Sequence, residues 1–411
     1  MFAVSLALIA QEFPAGRERG QAMGIYGATI GAAVAVGPLV GGALVDAIGW
    51  ESIFYLNVPI GLAALFITYS QVAESRDPAA TRIDWWGQLA FSASLFMLVL
   101  ALLRGNEEGW GSGGILALFG GAALAMVVFV VIEGRVREPM LPLGLFRGRS
   151  FSGVQIAAFA ISSAMFAMFL YLTLYLQNYL ELTPFEAGLR YLPITVTSFF
   201  AAAFTGAVLS SKFSPRALLT SGLLLVAAGL FLMSGIDATD EWTTLLAGLL
   251  VAGVGIGMLN PVIADVAVSV VPNEQSGMAS GINDTFRQVG VAVGIAAWGA
   301  LFIGRGESEV TSALAGTPGA EGDRPRELVE AASTGNLDLA LAQVPPEFRD
   351  QVSVAAQDAF LAGLNEILVI AAVVAVAGAA LSGALVRIRA VEQDVGDAPA
   401  GEEPETDPVS A

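Results

Sequence analysis

The chain has 411 residues, 55% of them hydrophobic, with a mean hydropathy of +0.70 and a net charge of −18. It contains neither Cys nor His, which excludes thiol nucleophiles, disulfides, Cys or His metal sites, Ser-His-Asp triads and imidazole proton relays. Of its 37 acidic residues, ten fall within 304–360 and seven within 391–411, so much of the charge belongs to solvated segments, and no basic stripe suggests a nucleic acid.

Crossing a hydrocarbon layer about 30 Å thick takes roughly 20 apolar residues in one helix. In chain order, Met1 to Ala10 is apolar but only half that length and reads as the end of a helix whose beginning is missing. Complete spans are expected at 22–47, 53–73, 86–103, 114–132, 153–180, 188–210, 218–236, 243–271, 280–303 and 361–386. The fold class is therefore all-α, a polytopic transmembrane bundle of ten complete spans plus a partial first one. Between spans, 133–152 is a basic connection suited to an anionic membrane surface, 304–360 an external loop with little fixed structure, and 391–411 an acidic tail.

Lys and Arg collect in cytoplasmic loops. Placing 11–21 inside puts Arg17, Arg19, Arg76, Arg82, Arg135, Arg137, Arg147, Arg149, Lys212, Arg216, Arg387 and Arg389 on the cytoplasmic side and leaves Arg104 in the short outer loops. The C-terminus is then cytoplasmic. Ionisable groups at membrane depth are functional candidates by default. Asp265, Asp284 and Arg287 are the candidates for an ion-paired cluster on a cytoplasm-facing cavity, the alternative being a structural salt bridge or interface group; Glu366 lies at the outer boundary, and Asn260-Pro261 marks a kink. Phe166, Phe169, Tyr171, Tyr175 and Tyr179 are candidate pocket aromatics.

Two motifs carry a family resemblance. Gly24, Ala33, Gly37-Pro38 and Gly41-Gly42 resemble the fifth-helix antiporter motif of the major facilitator superfamily, with Ala33 where the family usually has Gly. Trp50-Glu51-Ser52-Ile53-Phe54-Tyr55-Leu56-Asn57-Val58-Pro59-Ile60-Gly61 is similar to the signature of its fourteen-helix drug:proton antiporters, in which Trp50, Phe54, Asn57, Pro59 and Gly61 match and Glu51-Ser52 replaces Arg-Trp. Further matches run through Glu138–Phe146, Tyr175–Gln177, Ala187–Pro193 and Val271–Gly290.

The resemblance implies an incomplete N-terminal bundle over 1–73 (the end of helix four, then five and six), a linker and two inserted helices over 74–132, and a C-terminal bundle over 153–303 closed by a last helix at 361–390. It implies a membrane secondary transporter, not an enzyme, exporting amphipathic and often cationic compounds against protons across a bacterial inner membrane, with no cofactor and no metal. The competing expectation is a truncated, non-transporting fragment or a mis-called start, with the small-residue face of 24–42 turned to lipid. Gly41 is expected to sit at a close helix contact, because small residues let helices in lipid approach.

Overall fold

The computed structural model describes residues 5, 8, 9, 12, 13, 17–72, 84–136, 139–271, 275–315 and 322–387. Most of Met1 to Ala10, together with Arg76, Arg82, Arg137, Glu138, Arg389 and the acidic tail, lies outside the described residues. The order is α1 (Arg17–Ala47), α2 (Ser52–Gln71), α3 (Trp85–Glu108), α4 (Gly113–Glu133), α5 (Arg149–Tyr179), α6 (Pro184–Arg190), α7 (Leu192–Lys212), α8 (Pro215–Leu232), α9 (Leu246–Ser269), α10 (Ser276–Ala313), α11 (Arg324–Thr334), α12 (Leu337–Leu341) and α13 (Arg349–Leu385). Among the described residues ten helices are long and apolar enough to cross a membrane, and the chain is a multi-pass helical bundle.

Local chemistry sets several helix starts. Asp84 and Ser112 accept hydrogen bonds from Gly87 N and Ile115 N to begin α3 and α4, and Ser214 does the same through Ala217 N ahead of Pro215. Thr183 and Glu186 form a reciprocal capping box around α6. Three π-turns, at Ser162–Phe166, Tyr175–Tyr179 and Thr205–Leu209, interrupt α5 and α7. At the first of them Ser163 O accepts the Trp298 indole N–H from α10 at 2.6 Å.

The main core joins α5, α8, α9, α10 and α13, with Tyr175, Phe302 and Phe360 wholly buried. Glycine lets the helices touch backbone to backbone: Gly222 and Gly255 meet between α8 and α9, and Gly257 lies against Ser198 and Ala201 of α7. Asn365 of α13 ties down the turn after α8, its Oδ1 accepting from Gly235 N and Ile236 N and its Nδ2 donating to Ile236 O, each at 2.9 Å. Asn365→Ala is expected to cost about 1–3 kcal/mol, because it leaves backbone groups of a half-buried turn without partners. Thermal unfolding in detergent checks this, and an unchanged midpoint would show that water replaces the amide.

Three expectations are corrected. The 304–360 segment is not a loop of little fixed structure: α10 runs on to Ala313, α13 begins at Arg349 rather than 361, and α11 and α12 lie between them. Leu328 and Val329 of α11 are buried against the extended core with Val310 and Leu314, and Asn178 donates to Ser333 O from the end of α5. The alanine-rich composition hid this small apolar face.

The face of α1 does not turn to lipid. Gly24 lies on Gly206, Gly27 on Pro261, Gly31 on Phe199, and Gly42 on Pro184 and Phe185, so α1 docks along α7, α9 and α6. Gly37 and Gly41, by contrast, have open space where a Cβ would stand. In α2 only Ser52 is buried, and Trp50, Phe54, Asn57 and Pro59 of the signature are exposed. Trp50 and Phe54 meet edge to face at 6.1 Å.

Candidate functional site

A cavity of about 350 Å³ opens where α1 meets the core helices. Its wall on α10 is one helical stripe, Ser280, Asn283, Asp284, Arg287, Gln288 and Val291. Tyr26, Ile30 and Gly31 come from α1, Ile161, Ser162, Met165 and Phe169 from α5, Ile194, Thr195 and Ser198 from α7, and Ile256, Asn260 and Ala264 from α9. The π-turn at Ser162–Phe166 helps place Ser162 and Met165 on this wall, since an extra residue in a turn rotates the remainder of the helix about its axis. The lining is mostly apolar with a few convergent polar groups, the usual makeup of a small-molecule site.

Arg287 Nη1 donates to Asn260 Oδ1 at 3.0 Å, and Nε points at Asn283 Oδ1 at 3.4 Å. Asn283 is itself buried and donates to Gln155 Oε1 at 3.0 Å. A chain of neutral amides therefore holds the guanidinium, and no carboxylate lies within 4.0 Å of it among the described residues. Asp284 shares the cavity wall one turn earlier and makes no side-chain hydrogen bond among the described residues.

The expected ion-paired cluster is therefore corrected. Asp284 and Arg287 face one cavity without pairing, and Asp265 is not part of its wall; its Oδ1 accepts from Ser269 Oγ at 3.4 Å, and Arg19 is the nearby cation. Glu366 faces Arg305 at 3.4 Å on a half-exposed surface. Asn260 gains a role that the kink alone did not suggest. Of the aromatics, Phe169 lines the cavity, whereas Tyr171, Tyr175 and Tyr179 pack with Phe302 and Phe360 in the core. No group of three or more acidic side chains converges on a metal position among the described residues.

A second cavity, about 410 Å³, lies toward the far end of α1 and is lined by Pro38, Gly41, Gly42, Val45, Ile53, Thr173, Gln177 and Tyr191 among others. The open side of Gly41 faces this space. Phe169 and Thr195 belong to both cavity walls. Between them the Phe169 and Tyr191 rings stand edge to face at 5.3 Å, and the Tyr191 hydroxyl bonds Thr173 Oγ1 at 3.0 Å and donates to Phe169 O at 3.2 Å.

Residues 1–295 match the Major Facilitator Superfamily. The methylenomycin A resistance protein of Streptomyces coelicolor is 36% identical over 298 residues, 72% of this chain and 62% of that protein. The tetracenomycin C resistance and export protein of Streptomyces glaucescens is 32% identical over 92% of this chain and 70% of its own length. The multidrug resistance protein Stp of Mycobacterium tuberculosis is 34% identical over 72% of this chain and 55% of its own length. The chain thus spans 55% to 70% of the length of these three relatives.

Proposed function

Because the chain belongs to the major facilitator superfamily, we propose that it is a drug-export transporter of the antiporter type, moving amphipathic small molecules outward in exchange for protons. The observation that carries this is the cavity of about 350 Å³ at the join of α1 with the core helices, apolar except for Asp284, Arg287 and a few amides and hydroxyls. Relatives named for methylenomycin A resistance, tetracenomycin C export and multidrug resistance support the substrate class. Transporters of this kind hold their substrate near the bilayer midplane and rock two bundles around it.

Asp284 is the proton carrier in this reading, since it is the carboxylate on the cavity wall and no histidine exists in the chain. The protein resides in a bacterial inner membrane with its C-terminus in the cytoplasm, following the Lys and Arg bias of the loops. A C-terminal tag reached by protease in intact cells would reverse that orientation.

The test is proton release on binding. The 411-residue chain in nanodiscs, in weak buffer, is titrated with planar aromatic dyes of neutral, anionic and cationic type. At least one dye is expected to bind and to release a proton, and Asp284→Asn is expected to abolish the release while binding persists. Binding without proton release, or release that survives Asp284→Asn, would remove Asp284 from the coupling step.

A further inference from the structure

The cavity wall holds a guanidinium and a carboxyl group that do not bond to each other. Arg287 spends Nη1 and Nε on the Asn260 and Asn283 carbonyl oxygens, and Nη2 makes no hydrogen bond among the described residues. Asp284 stands three residues earlier on the same stripe, also without a hydrogen-bond partner among the described residues. Charges facing an apolar, low-dielectric space are costly unless a ligand completes their bonding. A guanidinium with one edge turned outward is a planar fork for oxygen acceptors, and an ionised carboxylate beside it accepts hydroxyl or N–H donors.

We propose that Arg287 sets the charge selectivity of the site: the cavity prefers compounds with a carbonyl or phenolate oxygen next to a hydroxyl over permanent cations. The acceptor oxygen meets the free edge of Arg287, and the neighbouring hydroxyl donates to Asp284. A fixed cation gains from Asp284 but meets the like charge of Arg287 beside a mostly apolar lining, which screens less than bulk water does. Selection against that class is stronger than for a site holding a carboxylate alone, and it departs from the cationic substrates that the family resemblance suggests. The same arrangement ties binding to protons, because an ionised Asp284 accepts the ligand hydroxyl in a stronger, charge-assisted bond than a protonated one does. The proposal rests on the reading of this cavity as the substrate site.

The experiment measures equilibrium binding of two flat tricyclic probes, 1,4-dihydroxyanthraquinone and ethidium, to the 411-residue chain in nanodiscs. The parent chain is expected to bind the dihydroxyanthraquinone tighter by a factor on the order of ten or more. Arg287→Gln should weaken that probe and strengthen ethidium, so that the order reverses. Arg287→Lys should keep the order. Asp284→Asn should weaken ethidium further.

Equal or tighter ethidium binding by the parent chain would overturn the proposal. So would an Arg287→Gln effect of the same size and sign on both probes, which a purely structural arginine would give. If Arg287→Gln is not recovered as monodisperse protein, the Lys and Asn variants decide alone, and a reversed order in Arg287→Lys overturns the assignment. Failure of both probes to bind the parent chain would sink the cavity reading itself, a result distinct from the wrong preference.

Discussion

Gly206→Leu is expected to abolish recovery of monodisperse protein from membranes, whereas Gly41→Leu is expected to leave that recovery at the level of the parent chain. Gly206 sits in the π-turn Thr205–Leu209 of α7, and a Cβ there would run into the Gly24 backbone of α1. Overpacking in a well-packed interior costs about 1–3 kcal/mol even where side chains can shift. Here the obstacle is backbone, which cannot shift without parting the two helices, so the loss lies at or above the upper end of that range. At Gly41 a Cβ would meet no atom within 4 Å, and the residue opens on the second cavity. Size-exclusion profiles of both variants in detergent settle the contrast, and equal behaviour of the two would show that the α1–α7 contact is not tight in the membrane.

Filling the cavity beside Arg287 has the second large effect. Val291→Trp is expected to reduce binding of any ligand of this site below detection, while the folded yield stays close to that of the parent chain. Val291 lies one turn beyond Arg287 on the wall of the cavity, and its side chain is half-buried. An indole there occupies space in a void of about 350 Å³ and places its ring face near the guanidinium, where a cation–π contact is itself favourable. Leu250→Trp, on an exposed face of α9, is the comparison for adding the same bulk where lipid gives way. A Val291→Trp protein that binds as the parent does would move the binding site away from this cavity.

The spans were legible because a helix in lipid announces itself by length and apolar composition, and that holds wherever the helix packs. Which face of a helix meets which neighbour is a matter of angle, about 100° per residue. Gly24 and Gly42 are eighteen residues apart, a whole number of turns, and both are packed. Gly41 lies about 100° round from Gly24 and Gly37 about 140°, so their open positions follow from the same arithmetic. The motif gave the small residues and not the face.

The site shows the same division. Asp284 and Arg287, three apart on α10, share a stripe and reach one cavity, as their spacing implied. Asp265 was grouped with them by depth alone, and its place on α9, about 140° from Asn260, turns it off the cavity wall. Asn260, Asn283 and Gln155 carried no charge to draw notice, yet they form the amide chain that holds Arg287. Their partners lie on three different helices, and such meetings depend on tertiary packing that a single sequence does not display. The α11–α12 segment was missed for a related reason, because Leu328, Val329 and Leu337 are too few to read as a core until α10 and α13 stand beside them.

At 37 residues and about 1.5 Å per residue, α13 is roughly 55 Å long against a hydrocarbon layer of about 30 Å. α10, at 38 residues, is of similar length, so both helices exceed the thickness of that layer, and α11 and α12 lie between their extended ends. Any tilt of these helices within the membrane is magnified at those ends, as at the end of an oar. The tip is moored sideways to α3 by Arg326 and Glu107, 3.3 Å apart, a surface ion pair of the kind worth only about 0.2–1 kcal/mol. A mooring that weak parts and reforms under thermal motion, so α3 is held to this pair by its packing along α10, where Asn106 Nδ2 donates to Ala300 O at 2.8 Å, rather than at the tip.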